Sequence, residues 1–309
     1  MPPPMISIVL PTFNGSRYLK QAIESCIRQT CADWELIVVD DGSEDSTGDI
    51  AAEYARRDRR ISVLRHDRNA GLPTALNTGF GRARGAYFTW ISDDNIYAET
   101  AMEEMLRELE SDGVYEIVYA EHYLMDADGN VTSLLQAPPY TRLVYGNCIG
   151  PCFLYTKRVH ERLGGYDPGS FCAEDLDFWL RASIQFKMKP LPRPLMRYRR
   201  HPASLTSLRQ KEILQATERV MLELLPRLPW ATAALKAEGF LALAQRVGRE
   251  RRYLRTMKHV ARALRYSPRA CLTKPLAVLA KSCLRRAKRV YESVGRAVRG
   301  ERPPGAKDG

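Results

Sequence analysis

Polar, carboxylate-rich turns follow three apolar runs in the first hundred residues, and their residue types suit a cation or a phosphorylated ligand. These turns are Pro11-Thr12-Phe13-Asn14-Gly15, Asp40-Asp41-Gly42-Ser43-Glu44-Asp45 and Ser92-Asp93-Asp94-Asn95. Each has a structural reading as well, because Asp-Gly and Asn-Gly are ordinary turn formers. Carboxylates brought into one crevice would repel one another, and a divalent cation or cationic ligand would offset that repulsion.

The best metal candidate is the pair Asp93-Asp94. Mg2+ and Mn2+ bind few carboxylates and complete their shells with water and phosphate oxygens. A metal held there therefore implies a phosphorylated ligand, most simply a diphosphate. The alternative is that the two acids cap the N-terminus of the helix that follows them.

Two further sites lie later in the chain. Glu174 and Asp175 stand at the start of a predicted helix, where acids satisfy free N–H groups, and where a carboxylate is also placed to take a proton from a hydroxyl. His201 follows the basic run Arg197-Tyr198-Arg199-Arg200. It is interpreted either as structural or as a ligand of a diphosphate or its metal.

The elements that must position these residues form an α/β pattern. Short β-branched runs alternate with helix-period segments up to about residue 112, which predicts βαβ units and a mainly parallel sheet. Ligands collect at the carboxyl ends of such strands. The predicted strands are Ile6–Leu10, Leu36–Val39, Ile61–Leu64, Ala86–Ile91, Glu116–Met125, Pro151–Thr156 and Leu195–Arg199, and the predicted helices are Tyr18–Arg28, 46–57, Leu72–Ala83, Glu99–Leu109 and Glu174–Phe186.

The net charge of +11 is divided unequally along the chain. Residues 209–309 hold 24 Lys and Arg against 8 Asp and Glu, a net of +16, which leaves 23 against 28, a net of −5, in residues 1–208. We predict a domain over 1–208, a basic helical region over 209–300 and a disordered tail over 301–309. Segment 247–298 suits either a helix lying on an anionic membrane surface or packed helices that support a homodimer.

Cysteines and hydropathy point to the cytoplasm. The seven cysteines are scattered and form no paired Cys-x-x-Cys knuckles, so we expect neither a disulfide framework nor a zinc ribbon. We expect no signal peptide at the start of the chain. The longest apolar stretch of the tail, Pro275–Leu284, is too short to span a bilayer. The expected location is cytoplasmic, with peripheral attachment to the membrane as an addition.

As an ordered set, these residues resemble the family 2 glycosyltransferases. The resemblance covers about Ile6 to Ser207 and includes SIVLPTFNG, ELIVVDDGSEDST, RNAGLPTALNTG, SDDN, LGGYDP, AEDLDFWLR and YRRHPASLT in that order. It implies the GT-A fold, a Rossmann-like nucleotide-binding mixed sheet flanked by helices, here with a basic helical extension at the C-terminus.

The resemblance also implies roles for individual residues. The nucleotide-sugar would be bound by Thr12 and Phe13 at the base, Asp41 through a base N–H, Asp93 near the ribose, and Asn14 and Asn69 in the surrounding loops. Asp94 would bind the Mg2+ or Mn2+ that bridges the diphosphate, with help from His201. Asp175 would be the general base, and Glu174 would lie on the acceptor side.

The implied reaction is an inverting, metal-dependent hexosyl transfer from a UDP-, GDP- or dTDP-sugar to a saccharide or lipid-linked acceptor, in polysaccharide or glycolipid assembly. Processive relatives carry a Gln-x-x-Arg-Trp motif and transmembrane helices, both missing here, so a single-sugar transfer is expected. One alternative is a sugar-phosphate nucleotidyltransferase, although its Gly-rich basic signature is missing. The other is a nucleic-acid-binding protein, which is disfavoured because the basic residues are confined to the tail while the crevice is acidic.

Overall fold

A computed structural model describes residues 4–111, 113–250 and 252–273 of the chain. Within these residues nine strands form one sheet. The strands are β1 Ile6–Thr12, β2 Trp34–Asp40, β3 Ile61–Arg65, β4 Tyr87–Trp90, β5 Ile96–Tyr97, β6 Ile117–Met125, β7 Val131–Leu135, β8 Phe153–Thr156 and β9 Met188–Arg199.

Eleven α-helices lie in the described part of the chain. They are α1 Leu19–Ile27, α2 Thr47–Arg57, α3 Leu72–Phe80, α4 Ala101–Glu110, α5 Lys157–Leu163, α6 Glu174–Gln185, α7 Leu205–Leu208, α8 Gln210–Leu224, α9 Ala233–Arg249, α10 Tyr253–Tyr266 and α11 Pro268–Thr273. Short 3-10 helices occupy 140–145, 168–170 and 225–227.

The sheet has the order β3-β2-β1-β4-β8-β6-β9-β5, with β7 paired to β6. The strands β3, β2, β1 and β4 are parallel neighbours, as the sequence predicts. Their carboxyl ends therefore lie at one edge, where Thr12 is in register with Asp40 and Asp40 with Arg65. The remaining pairings are antiparallel apart from β6 with β9, which makes the sheet mixed.

Helices cover both faces of the sheet, which explains why its central strands β1 and β2 are buried along their whole length. On one face, Ile6, Ile8 and Leu10 of β1 join a core that includes buried residues of α1, α2 and α4. On the other face, α3 lies so close that a Cβ at Gly79 would meet the side chains of Val9 and Val39. The strand ends are thereby held rigidly at the edge that carries the polar turns.

The structure contains β5 and α5, which the sequence pattern does not predict, and it differs from the pattern further at β9 and β7. β9 begins at Met188, seven residues before the predicted start, and it pairs in parallel with β6 along most of its length. The hairpin strand β7 was not anticipated from the pattern, because all five of its residues are exposed and it is held by its pairing with β6.

The chain divides into two compact units, Met1–Trp230 and a second that begins at Ala231. In the second unit, α9 and α10 pack against each other through residues that include Phe240 and Tyr266, whose rings stack. The predicted tail over 301–309 and the segment 274–298 lie outside the described residues. No helix in the part of the chain that the structure describes is long and apolar enough to cross a membrane.

Candidate functional site

The ends of β1 and β4 meet through a side-chain hydrogen bond. Thr12 Oγ1 donates to Asp93 Oδ2 at 2.5 Å. Gly15 packs directly against this pair, since a Cβ there would lie 1.9 Å from Asp93 Oδ2 and 2.5 Å from Thr12 Oγ1. Burial, and then the charge of the neighbouring Asp94, raise the pKa of Asp93 to about 7. The structure therefore brings two of the predicted nucleotide-binding residues together at the sheet edge.

Asp41, which follows β2, is held by the loop after β3. Its carboxylate accepts hydrogen bonds from the backbone N–H groups of Ala70 and Gly71, both at 2.9 Å. The same carboxylate lies 2.6 Å from Nδ1 of His66, whose Nε2 lies 3.0 Å from Thr78 Oγ1. Asp41 is buried, and its carboxylate fixes the loop that carries the exposed Asn69.

Phe13 and Asn14 form the turn that follows the end of β1. Phe13 is 47% exposed although it is aromatic, so its ring is available to stack on a planar ligand. Asn14 has a positive φ of 53°, and it ties the turn to the next loop. Its N–H donates to Ser43 Oγ and its Oδ1 accepts from the N–H of Glu44, both at 2.9 Å.

Asp94 and His201 face each other, as the metal prediction requires. His201 Nε2 lies 3.0 Å from Asp94 Oδ2, while Asp94 Oδ1 is buried without a hydrogen-bond partner. Burial raises the pKa of Asp94, and the contact with His201 partly opposes that rise. The turn is anchored by the buried Arg199, which donates to the carbonyl oxygens of Asp94 and Ala127 and to Gln21 Oε1.

Glu174 and Asp175 lie in the first turn of α6. Asp175 Oδ1 accepts from the N–H of Leu176 and Oδ2 accepts from Asn147 Nδ2, both at 2.6 Å. Burial raises the pKa of Asp175, whereas these two hydrogen bonds lower it, so that the pKa remains above its ordinary value. Glu174 is 6% exposed with Oε2 unpartnered, and burial together with the charge of Asp175 raises its pKa to about 8.

Tyr198 of β9 connects the two groups of carboxylates. Burial raises the pKa of its hydroxyl, and the charges of Asp94 and Asp175 raise it further. Both carboxylates therefore lie within electrostatic range of one side chain. The site thus offers a carboxylate of raised pKa at Asp175 and a carboxylate–imidazole pair at Asp94 and His201, a combination that suits proton removal and the binding of a polyanion.

The structure thus brings Thr12 with Asp93, Asp94 with His201, and Glu174 with Asp175, while Asp41 and Asn14 hold loops and Asn69 is exposed on one of them. Sequence reasoning missed His66 and Asn147. His66 follows the end of β3 and could have been found by the same strand-end argument. Asn147 lies in a segment without periodicity, where no signal marks it.

The residues present fit a divalent metal that takes few protein ligands. Two donor atoms converge at Asp94 and His201, and the unpartnered buried oxygen of Asp94 offers a further one. In residues 4–111, 113–250 and 252–273 no cluster of three or more His, Cys, Asp or Glu is arranged to hold a metal by itself. Such a metal would therefore rely on water and ligand oxygens for its remaining positions.

Comparison with known sequences gives a family match. The model described as Glycosyl transferase family 2 matches residues 7–164. A Bacillus subtilis protein described as the uncharacterized glycosyltransferase EpsJ is 33% identical over 227 residues, which are 67% of this chain and 64% of that protein. An uncharacterized glycosyltransferase of Rickettsia prowazekii is 30% identical over 221 residues, 66% of each chain. The chain thus spans about two thirds of the length of these relatives.

Comparison with solved structures shows the GT-A fold. The structure of S. aureus TarS in complex with UDP-GlcNAc has a TM-score of 0.63 at 16% identity and covers 78% of this chain and 71% of that chain. The mannosyltransferase PcManGT from Pyrobaculum calidifontis, in complex with GDP-Man and Mn2+, has a TM-score of 0.53 at 14% identity. The match covers 94% of this chain and 82% of that chain.

Proposed function

We propose that this chain, which belongs to glycosyl transferase family 2, transfers one sugar from a nucleotide-sugar donor to an acceptor hydroxyl with inversion at the anomeric carbon. The observation that carries the proposal is the sheet edge at which Thr12 bonds to Asp93 and His201 Nε2 lies 3.0 Å from Asp94 Oδ2, with the buried Oδ1 of Asp94 left unpartnered. The product would contribute to polysaccharide or glycolipid assembly. A UDP-, GDP- or dTDP-sugar is the expected donor, and TarS and PcManGT were solved with UDP-GlcNAc and GDP-Man.

Donor binding uses the edge formed by β1, β2 and β4. The exposed ring of Phe13 stacks on the base, and Thr12 contacts it. Asp41, Asn14 and Asn69 shape the loops around the base. The hydrogen bonds that Asp41 and Asn14 make to neighbouring turns preorganise the site, which lowers the entropic cost of binding. Asp93, next to Thr12, lies near the ribose.

Asp175 is the general base for the acceptor hydroxyl. Its raised pKa makes it a stronger base than an ordinary aspartate, while its two hydrogen bonds keep it oriented. As the hydroxyl proton moves to Asp175, the oxygen attacks the anomeric carbon on the face opposite the nucleoside diphosphate. An α-linked donor therefore gives a β-linked product. Glu174 lines the acceptor side, where its burial keeps it protonated near neutral pH.

Asp94 and His201 would hold a Mg2+ or Mn2+ ion together with the donor diphosphate. When bound, this ion supplies electrostatic stabilisation of the negative charge that develops on the leaving group. Arg199 maintains the backbone of the Asp94 turn through its bond to the Asp94 carbonyl oxygen at 3.0 Å.

The test of this function is Asp175→Asn. The variant should lose sugar transfer, because an amide cannot accept the proton, but it should keep nucleotide-sugar binding. A panel of UDP-, GDP- and dTDP-sugars with Mn2+ is scored by nucleoside diphosphate release, and binding is measured by calorimetry. Full transfer by the variant would remove Asp175 as the base. Pyrophosphate release from a nucleoside triphosphate by the parent protein would instead indicate the nucleotidyltransferase.

We further propose a cytoplasmic enzyme that attaches peripherally to an anionic membrane through the segment 247–298. In its described part, α10 exposes Leu254, Met257 and Leu264 on one face, at 83%, 59% and 42%. Exposed Lys258 and Arg265 flank that face, an arrangement suited to an anionic surface. Co-sedimentation with anionic vesicles but not neutral ones supports attachment; absence from both pellets contradicts it and leaves packing or a homodimer as the role of the segment.

A further inference from the structure

We propose that Asn147 is a positioning residue for the reaction, holding the Asp175 carboxylate in the orientation and the ionised form that proton removal requires. The inference rests on the proposed function, since it acts through the base assigned there. Its foundation is the hydrogen bond from Asn147 Nδ2 to Asp175 Oδ2 at 2.6 Å.

The amide of Asn147 is itself oriented by the backbone. Its Oδ1 accepts from the N–H of Ile149 at 3.1 Å, which directs the NH2 group toward Asp175. Ile149 is 1% exposed, so this bond belongs to a well-packed part of the loop. A flipped amide would lose the Ile149 bond and set oxygen against oxygen at Asp175. The donor role of Asn147 is therefore fixed by its surroundings.

The loop that carries Asn147 is constrained on both sides. Gly146 and Gly150 have φ values of 127° and 76°, in the left-handed region. A Cβ at Gly150 would lie 2.9 Å from the buried ring of His122. The loop thus bends sharply before Asn147 and rests on β6 after it. This rigidity holds the amide at the base without support from a bound ligand.

The bond leaves Asp175 with capacity for its substrate. Oδ1 accepts from Leu176 and Oδ2 from Asn147, and each carboxylate oxygen has a second acceptor position. Asn147 itself is exposed, so this side of the carboxylate lies close to solvent. An acceptor hydroxyl approaching there would find a carboxylate whose plane is already set by two donors. Preorganisation of this kind contributes to the rate when geometry is limiting.

Asn147 also stabilises the ionised base. The ionisable groups in electrostatic contact with Asp175 are Glu174 on the same helix, Tyr166 after α5 and Tyr198 on β9. The two tyrosines are uncharged near neutral pH because their pKa values are raised, so burial is the effect that disfavours ionisation of Asp175. The amide of Asn147 is a neutral donor that opposes this effect without adding a charge. Removing it should therefore raise the pKa of Asp175 further.

The experiment measures the titration of Asp175 directly. Protein with 13C-labelled aspartate carboxyl groups is titrated by NMR without any substrate, and the signal missing from Asp175→Asn identifies Asp175. In Asn147→Ala the midpoint should move up by about one pH unit, since a hydrogen bond to a charged group is lost. In Asn147→Asp, which is nearly isosteric but brings a second carboxylate, it should move further.

Kinetics supply the second readout. With the donor that releases nucleoside diphosphate in the panel above, Asn147→Ala should lower kcat about 10- to 100-fold with little change in the KM for the donor. The acidic limb of its pH profile should move in step with the NMR midpoint. The matched control is Asn130→Ala, which removes another exposed amide bonded to an aspartate, Asn130 Nδ2 to Asp126 Oδ2 at 3.1 Å. The acidic limb of the pH profile of Asn130→Ala should stay where it is in the parent protein.

The outcomes separate the inference from the function on which it rests. Unchanged Asp175 titration and an unchanged acidic limb in Asn147→Ala overturn the inference, even if Asp175→Asn is inactive. A loss of kcat at every pH without a moved limb also overturns it, because a purely structural role produces that pattern. Activity retained in Asp175→Asn overturns the assigned base, whatever Asn147 does to the titration.

Discussion

Replacing the buried Glu174 by glutamine should stabilise the protein in a way that grows with pH. Glu174 is 6% exposed, its Oε2 has no hydrogen-bond partner, and its pKa is raised from 4.5 to about 8. The folded state therefore binds a proton more tightly than the unfolded chain does. The contribution of Glu174 to the free energy of unfolding is complete below pH 4.5 and is lost as the pH rises toward 8. The uncharged amide of Glu174→Gln avoids that loss.

The size of the effect follows from the shift. About 3.5 pH units at about 1.4 kcal/mol each give a difference on the order of 5 kcal/mol above pH 8, about 3 kcal/mol at pH 7 and about 1 kcal/mol or less at pH 5. Burying the amide adds a constant offset, so the slope with pH is the quantity that tests the reasoning.

The assay is urea unfolding of both proteins from pH 5 to 8.5. The control is Glu161→Gln on α5, which removes a carboxylate that is 63% exposed and should change the free energy of unfolding by no more than about 0.5 kcal/mol at each pH. A difference between Glu174→Gln and the parent that is the same at pH 5 and pH 8 would refute the reasoning. It would mean that Glu174 ionises normally in the folded protein.

Two further variants probe the donor side. Asp94→Ala should weaken nucleoside diphosphate binding at least tenfold when Mn2+ is present and change it little without metal, because the raised-pKa carboxylate beside His201 is lost; calorimetric titrations that match the parent with Mn2+ would contradict the metal role. Gly15→Ala should reduce nucleotide affinity about tenfold, since its Cβ would lie 1.9 Å from Asp93 Oδ2 and must displace that side chain. Gly248→Ala, whose Cβ meets Thr256 only at ordinary contact distance, 3.5 Å, is the control and should bind like the parent.

The strands of the parallel half could be predicted from the sequence because buried strands alternate there with polar turns. β1 and β2 are buried throughout and end in turn-forming polar residues, so the apolar runs indicated the strands and the turns indicated the edge. The predicted start of β3 at Ile61 is confirmed. In the antiparallel half, β7 is exposed and β5 has only two residues, both paired with β9. Such strands depend on partners distant in sequence, which a local pattern does not show.

The residues of the candidate site differ in the same way: those at strand ends could be predicted, and those held by loops distant in sequence could not. Asp93 and Asp94 could be placed because they lie within four residues of the end of β4, whereas the position of Asn147 depends on a loop that folds back onto α6. The interpretation of the Asp94 turn as a helix cap is not needed for that carboxylate, since the contacts of its side chain are with His201. Asp41 shows the reverse case: its strand-end position was predicted, but its hydrogen bonds to the 70–71 backbone were not.

Arg199 has a consequence for how the site is assembled during synthesis. The guanidinium of this residue holds Asp94 O and Gln21 Oε1, which lie 105 and 178 positions earlier in the chain. Gln21 and Asp94 are therefore synthesised well before the residue that bonds to both of them. The nascent N-terminal half would form its parallel strands before the Asp94 turn is anchored. Under the proposed function, that turn would be ready for its ligand only after β9 has been made and has docked.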